Sequence, residues 1–328
     1  MASDSRALHD HSRRAVLMAL GAAALGGQAW AQQASTGTRV GGLTPPEGGD
    51  MLDAWVDAYG RPTARVSLNG QPGFRFMVDT GSNITVLAMR HAVALGVKFQ
   101  GAMEVNGTTG TAQLPVAMLD RLSTGAVGKE GLRVAVLSDQ QMGTEDGILG
   151  ADVFAGRRLV FDIPAKTVRV ETSRRDAKVA SPVTMRVRNG MLAEVDGRIG
   201  RVSTRFMLDT GAQNCIVNPK LNALLAKAYP RMKRHLNARV RGVTGQEIIG
   251  EYLELPELKL GKVNVKYGGA VAADAPIFKV WGLDDEPAMI VGVNVLSRAA
   301  SFTIDYGARQ FDARPMAELM ARQMVMLG

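Results

Sequence analysis

Residues 75–81 read Arg-Phe-Met-Val-Asp-Thr-Gly, and residues 205–211 read Arg-Phe-Met-Leu-Asp-Thr-Gly. The two copies differ at one position, where Leu208 stands in place of Val78. In each copy an apolar run, typical of a buried β-strand, delivers one carboxylate into a Thr-Gly turn. The two carboxylates are Asp79 and Asp209, and the repeat raises the question of whether they meet in one site.

Three further patterns follow each copy in the same order. Gly107-Thr108-Thr109-Gly110 matches Gly242-Val243-Thr244-Gly245, Ile148-Leu149-Gly150 matches Ile290-Val291-Gly292, and Phe161-Asp162 matches Ile304-Asp305. The Asp of each turn precedes the glycine of its apolar-apolar-Gly segment by 71 residues in one half and 83 in the other. A chance repeat of Asp-Thr-Gly would not be followed by the same three patterns in the same order. The chain therefore contains an internal duplication of a mostly β unit.

The first 31 residues have the features of a secretory signal peptide. Arg13 and Arg14 precede the apolar run of residues 15–25, and Ala29-Trp30-Ala31 supplies a small-x-small cleavage pattern. The arginine pair also resembles a twin-arginine export signal, although the ordinary secretory route stays open because Val16 stands where that motif prefers an aromatic residue. We expect an exported protein, periplasmic or secreted, without stable membrane insertion after the signal is removed.

The rest of the chain is long enough for two lobes with a sizeable core. Turn signals and apolar periodicity predict a hairpin at Asn69-Gly70 and short helices at about residues 88–95 and 219–226. The predicted units are a flexible lead-in (32–50), an N-terminal lobe (51–172), a linker (173–182), a C-terminal lobe (183–314) and an amphipathic C-terminal helix (315–328).

Composition argues against several classes of function. The formal net charge is +8, but the basic clusters carry few interleaved aromatics and no nucleic-acid motif, so we expect no nucleic-acid partner. Cys215 is the single cysteine, which excludes an intramolecular disulfide, and its apolar surroundings predict a buried structural thiol. Outside the signal peptide the histidines are His91 and His235, and no Gly-x-Ser-x-Gly elbow, zinc-ligand spacing or phosphate loop accompanies them. We expect no metal and no cofactor.

Two carboxyl groups held within a hydrogen bond of each other share a proton, and their apparent pKa values separate. One group then acts as a base on a water molecule, while the other, protonated, donates to a carbonyl oxygen. Each carboxylate needs a rigid, closely turning backbone, where glycine permits tight approach. A threonine hydroxyl beside each carboxylate is suited to tie the two turns together, and Asp-Thr-Gly supplies all three parts.

On these motifs residues 60–312 resemble the pepsin-like and retropepsin-like aspartic proteases. The resemblance implies an all-β fold with a few short helices, a bilobal pseudo-dimer of two acid-protease β-barrel lobes. It implies a catalytic dyad of Asp79 and Asp209, and a monomer that acts on peptide or protein substrates. The supporting residues it implies are Thr80 and Thr210 as a brace between turns, Gly81 and Gly211 on the substrate floor, and the flap residues Gly107, Thr108, Thr109, Gly110, Gly242, Val243, Thr244 and Gly245.

Two departures from the pepsin pattern favour a bacterial retropepsin-like tandem. The chain lacks disulfides, and neither flap stretch carries a tyrosine. The residue after each turn also differs, because Ser82 offers a hydroxyl to Asp79 whereas Ala212 offers Asp209 nothing. We therefore hypothesise that the shared proton is biased toward Asp209 and that the pair works nearer neutral pH than pepsin.

Two alternatives remain open from the sequence. A catalytically inactive member of the fold would keep the cleft as a peptide-binding site, and the altered second copy, Ala212-Gln213-Asn214, leaves a degenerate second lobe open. A dimer with sites formed between chains would keep the chemistry and change the assembly. Tandem lobes in one chain favour the self-contained monomer.

Overall fold

The computed structural model describes residues 15–17, 50–52, 54–173 and 182–317. Most of the predicted signal peptide, the lead-in before Asp50, nearly all of the predicted linker and residues 318–328 of the predicted C-terminal helix lie outside this range. The described part of that last element is limited to a helical turn that begins at Met316.

Strands dominate both halves, and the few helices are short. The first half contains β1 (Ala15–Leu17), β2 (Asp50–Leu52), β3 (Ala54–Val56), β4 (Pro62–Leu68), β5 (Gln71–Asp79), β6 (Val86–Ala88), α1 (Met89–Ala94), β7 (Lys98–Gly107), β8 (Gly110–Ser123), β9 (Gly128–Leu137), α2 (Asp139–Met142), β10 (Gly147–Gly150), a 3-10 helix (Ala151–Phe154), β11 (Arg157–Asp162) and β12 (Thr167–Thr172). The second half contains β13 (Val183–Arg188), β14 (Leu192–Ile199), β15 (Val202–Leu208), β16 (Cys215–Val217), α3 (Pro219–Ala228), β17 (Arg234–Arg241), β18 (Glu247–Glu254), β19 (Leu258–Leu260), β20 (Val263–Val265), β21 (Gly269–Ala272), α4 (Ile277–Val280), β22 (Ala288–Val291), α5 (Val293–Leu296), β23 (Ala299–Asp305) and β24 (Gln310–Pro315).

The predicted all-β, two-lobed fold is confirmed. The first lobe is a sheet with the strand order β1-β7-β8-β9-β6-β10-β5-β4-β3. The second lobe repeats this plan in β17-β18-β21-β16-β22-β15-β14, with β19 and β20 paired beside β14. The lobes are not separate at the predicted boundary, because β11 of the first half pairs antiparallel with β23 of the second. Strands of both halves thus build a shared floor sheet in the order β13-β24-β23-β11-β12-β2.

The repeated apolar run forms the strand that leads to each carboxylate. The predicted hairpin at Asn69-Gly70 joins β4 to β5, and both turn residues have the positive φ that a tight two-residue hairpin turn requires. β5 is covered on both faces at its end, where Phe76, Met77 and Val78 are buried. It runs parallel to β10, and a Cβ on Gly147 would lie 2.4 Å from the Phe76 ring, so only glycine permits this approach.

The two helices predicted from the sequence are present with small shifts in their ends. α1 spans Met89–Ala94, and α3 begins at Pro219 behind Asn218, whose side chain accepts a hydrogen bond from the Leu221 amide at 2.9 Å. The shorter helices α2, α4 and α5 were not predicted. Within the described ranges, the structure contains no helix with the length and apolar character needed to cross a membrane.

Candidate active site

The two Asp-Thr-Gly turns meet at the interface between the lobes. Asp79 ends β5 beside Gly150, and the Asp209 amide donates to the Val291 carbonyl at 3.0 Å, so the neighbouring apolar-apolar-Gly strand positions each turn. Both carboxyl groups are fully buried. A Cβ placed on Gly211 would lie 2.4 Å from Cγ of Asp79, so the carboxyl of one lobe rests against the turn of the other and requires glycine there.

The structure brings the two predicted brace residues together in a symmetric network. The Thr80 amide donates to Oγ1 of Thr210, and the Thr210 amide donates to Oγ1 of Thr80, each at 3.1 Å. In turn the Thr80 hydroxyl donates to the Leu208 carbonyl at 3.0 Å, and the Thr210 hydroxyl donates to the Val78 carbonyl at 2.7 Å. Each buried threonine is therefore bonded to the strand and turn of the opposite lobe, which fixes the spacing of the two carboxylates.

Burial raises the pKa of both carboxyl groups. Burial raises the pKa of Asp79 to about 7, against the lowering effects of the Gly81 amide, Asp209 and the charge of Arg61. Burial and the charge of Asp79 together raise the pKa of Asp209 well above its usual range. Oδ2 of each carboxyl has no other partner within the described residues, so the pair is satisfied when one proton lies between them.

The predicted roles of Ser82 and Ala212 need correction. The Ser82 hydroxyl donates to the Ile84 carbonyl at 2.6 Å, and Ser82 stabilises the Asp79 carboxylate through its backbone amide. Ala212 is not inert, because its amide donates to Oδ1 of Asp209 at 2.9 Å. The Ser82 hydroxyl is therefore not directed at Asp79 in the way the sequence suggested, and the proton bias toward Asp209 stays a prediction. Backbone amides act in both turns, and residue identity alone does not reveal them.

The predicted flap residues lie at the tips of two hairpins, one from each lobe, that contact each other. One hairpin is β7–β8 and the other is β17–β18. The Thr109 hydroxyl donates to the Gln246 carbonyl at 2.8 Å and accepts from the Gly242 amide at 3.0 Å. The Thr244 hydroxyl donates to the Gly110 carbonyl at 3.2 Å. These hydrogen bonds join the two tips directly.

Val243 carries the second flap into the first lobe. Its side chain is buried against an apolar cluster that includes Met77, Val105 and Met142. The Gln141 side-chain amide donates to the Val243 carbonyl at 3.0 Å, which ties α2 to the flap of the opposite lobe. The sequence reasoning did not assign a role to Gln141, and no pattern in the chain signals a contact between residues so far apart.

Behind each turn a buried pair secures the strand that follows the dyad. In the first lobe Asp152 accepts the amide and the hydroxyl of Thr85, at 3.0 and 2.8 Å. In the second lobe Oδ1 of Asn294 accepts the amide and the thiol of Cys215, each at 3.1 Å. The predicted burial of Cys215 is confirmed, and burial raises the pKa of its thiol to about 12, which makes it inert.

The space beneath the two turns differs between the lobes. Below Thr210 lies an apolar cavity of about 190 Å³ whose walls include Ile163, Val293 and Phe302. Ile163 follows Asp162 as Tyr306 follows Asp305, so the repeat sets Tyr306 at the corresponding place in the other lobe. Tyr306 is buried, and both burial and the charge of Asp79 raise the pKa of its phenol, so the phenol lies within electrostatic reach of Asp79.

Arg61 is a buried cation close to this site. Its guanidinium contacts the carboxylate of Asp57, with Nη2 to Oδ2 at 2.5 Å. Its charge lowers the pKa of Asp79. The sequence reasoning did not single it out, because an arginine before a β-strand is ordinarily solvent-exposed.

Across the described ranges no group of three or more His, Cys, Asp or Glu side chains is arranged to hold a metal ion. The described chemistry of the site therefore consists of two coupled carboxyl groups, the backbone amides that hold them and the flaps above.

Comparison with known proteins agrees with this geometry. No curated protein matches the chain. A family model described as aspartyl protease matches residues 64–153 and 193–295. Each matched segment contains one Asp-Thr-Gly turn, one flap hairpin and one apolar-apolar-Gly strand. The matched residues amount to more than half of the sequence, and they cover the parts that build the paired carboxyl site. The chain belongs to the aspartyl protease family.

Proposed function

We propose that the protein is an exported aspartic endopeptidase that hydrolyses peptide bonds with a water molecule activated between Asp79 and Asp209. The observation that carries this proposal is the buried carboxyl pair, held between the lobes by the hydrogen bonds of Thr80 and Thr210. Export rests on the signal-like features of residues 1–31.

In this proposal Asp79 acts as the base and Asp209 as the acid. Asp79 takes a proton from water while the water oxygen bonds to the peptide carbonyl carbon, and Asp209 gives its proton to the carbonyl oxygen. The tetrahedral intermediate then collapses: the C–N bond breaks, the leaving nitrogen takes the proton held by Asp79, and one hydroxyl of the intermediate returns its proton to Asp209 as the new carbonyl forms. The raised pKa values support this division, because a singly protonated pair persists near neutral pH.

The substrate must enter under the flaps as an extended chain. The carboxyl groups are fully buried, so the hydrogen bonds between the Thr109 and Gln246 tips have to separate before a peptide reaches them. The edge of β7 beside its tip can pair with a parallel strand, since residues 15–17 pair there with residues 105–107. An edge of this kind suits the main-chain hydrogen bonding of an extended peptide.

The test is cleavage of a peptide library across pH by the protein lacking residues 1–31, with Asp79→Asn and Asp209→Asn as matched controls. We expect cleavage by the unsubstituted protein and a loss of about 10³-fold or more in each variant, because each removes one partner of the acid–base pair. Circular dichroism checks that the variants keep their fold.

Absence of cleavage at every pH, with retained peptide binding, would overturn the proposal and favour the inactive peptide-binding alternative. The brace joins two turns of one chain, which supports a monomer as the active unit. Specific activity that stays constant on dilution, together with a monomeric sedimentation mass, is the expected result.

A further inference from the structure

Arg61 is an unusual residue to find in the interior. Its side chain is 3% exposed, and the Asp57 side chain beside it is 8% exposed. Besides the ion pair, the Arg61 Nε donates to Oδ2 of Asp57 at 2.6 Å and the Arg61 amide donates to Oδ1 at 2.9 Å. A buried guanidinium requires such compensation, and the fixed hydrogen bonds leave it in one place.

The strand register relates Arg61 to Asp79. Thr63 of β4 pairs with Met77 of β5, and counting two residues outward along each chain leads to Arg61 and Asp79. Residues opposite each other in an antiparallel pair, and positions two apart along a strand, lie on the same face. Arg61 is therefore on the side of the first lobe that carries its catalytic carboxyl.

The second lobe has no equivalent cation at this position. Glu194 of β14 pairs with Met207 of β15, and the same count leads to Leu192 and Asp209. Leu192 is buried and belongs to an apolar cluster. The internal repeat thus sets an arginine beside one carboxyl and a leucine beside the other.

Other ionisable groups also lie near Asp79. Asp209 faces the Asp79 carboxyl from the second turn, and the Tyr306 phenol is near enough for the charge of Asp79 to raise its pKa. Glu145, paired with Arg75, is within the electrostatic reach of both Arg61 and Asp57. Among these groups Arg61 is the cation whose charge favours the ionised form of Asp79.

We propose that Arg61 is a positioning residue that determines which carboxyl carries the shared proton, leaving it on Asp209 and making Asp79 the base. The proposal rests on the proposed peptidase function and deepens it. The two Asp-Thr-Gly turns are chemically alike, and the arginine beside only one of them makes one carboxyl the base and the other the acid. Asp57 weakens the effect of Arg61 on Asp79, because its carboxylate neutralises part of the guanidinium charge.

The experiment compares Arg61→Met with Asp57→Asn, which break the same ion pair from opposite sides. Without Arg61 the Asp79 carboxylate loses a stabilising charge, so the acid limb of the pH profile of kcat/KM should move up by about one pH unit. Without the Asp57 charge, Arg61 acts on Asp79 undiminished, so the limb should move down. Arg61→Lys keeps the charge and should hold the limb near its original place, and Leu192→Met in the second lobe should leave it unchanged.

Opposite shifts cannot come from a structural defect shared by two variants of one ion pair. Shifts in the same direction, or none, would overturn the proposal. Should Arg61→Met fail to fold, Asp57→Asn and Arg61→Lys still give the two remaining predictions. Titration of the carboxyl carbons by ¹³C NMR follows the Asp79 resonance without turnover. A protein that cleaves no peptide but shows the opposite NMR shifts would therefore contradict the peptidase function and leave the role of Arg61 standing.

Discussion

The loop that holds Asp79 and the loop that holds Asp209 share the sequence Asp-Thr-Gly and the same threonine hydrogen bonds, yet their surroundings differ on two sides. A cavity beside Ile163 lies beneath the second loop, whereas the residue at the corresponding place of the repeat, Tyr306, is buried within electrostatic reach of Asp79. Behind the first loop a carboxylate accepts from Thr85, and behind the second an amide side chain accepts from Cys215.

This comparison separates what both catalytic turns must share from what each lobe can vary. Thr80 and Thr210 are the same residue in the two turns, and each bonds to the turn of the opposite lobe, while Gly211 lies against the Asp79 carboxyl. The supporting residues beneath and behind the turns each serve a single turn, and there the two halves of the chain have diverged. Divergence in these layers gives two like turns different electrostatic surroundings.

The largest expected effect concerns the layer beneath the turns. Tyr306→Ile should open a cavity like that of the second lobe and lower the free energy of unfolding by about 3 kcal/mol. The reverse change, Ile163→Phe, should fill the existing cavity and raise it by about 1 kcal/mol. Urea denaturation measures both. Tyr306→Phe is the control, and it should be nearly neutral, because the phenol oxygen has no hydrogen-bond partner among the described residues. Equal stability of Tyr306→Ile and the unsubstituted protein would contradict the proposed difference.

An intermediate effect concerns the pairs behind the turns. Asn294→Asp should lower the free energy of unfolding by about 2 kcal/mol, because its Nδ2 donates to the Gly269 carbonyl at 2.8 Å and a carboxylate would replace that donor. Thermal unfolding at pH 7 measures the loss. The loss should shrink in acid, where the new carboxyl is protonated and regains a donor.

Asp152→Asn is the matched change in the first lobe and should cost about 1 kcal/mol or less near pH 7. Burial raises the pKa of Asp152, so this residue favours the folded state most below its unfolded pKa and loses that contribution as pH rises through the folded pKa. The substitution should remove this part of the pH dependence of stability. An unchanged dependence in melts from pH 4 to pH 8 would contradict the assignment.

The smallest expected effect distinguishes the two flaps. Thr109 makes two hydrogen bonds to the other tip through its hydroxyl, whereas Thr244 donates one, to Gly110. Thr109→Val should speed hydrogen exchange of the Gly242 amide by about tenfold, and Thr244→Val by less, since each lost bond contributes about 1 kcal/mol. If the Gly242 amide exchanged in both variants at the rate of the unsubstituted protein, the two hydroxyls would not be what holds the tips closed.

Much of the fold was predictable because the same motifs occur in the same order in both halves of the sequence. Two copies of Asp-Thr-Gly, each followed by the same glycine-containing segments, predicted two like β units and the pairing of Asp79 with Asp209. Local signals also located the Asn69-Gly70 hairpin and the helices α1 and α3. These features depend on turn chemistry and periodicity, which are local properties of the chain.

The remainder depends on contacts between distant residues. A hydroxyl beside a carboxylate suggested donation from Ser82 to Asp79, but the closer acceptor is the Ile84 carbonyl, and only the folded turn reveals it. Tyr306 lies far from Asp79 in the chain and reaches it because β23 pairs with β11. The burial of Arg61 follows from its ion pair with Asp57 and from strand packing, neither of which has a sequence signature.

The shared floor sheet has a consequence for the order of folding. β11 pairs with β12 on one side, and its partner on the other side, β23, is synthesised about 140 residues later. During synthesis the first lobe therefore carries an unpaired strand edge until nearly the whole chain has emerged. Such an edge accepts the same strand from a second molecule, so exchange of β23 and β24 between copies is the expected product of refolding at high protein concentration.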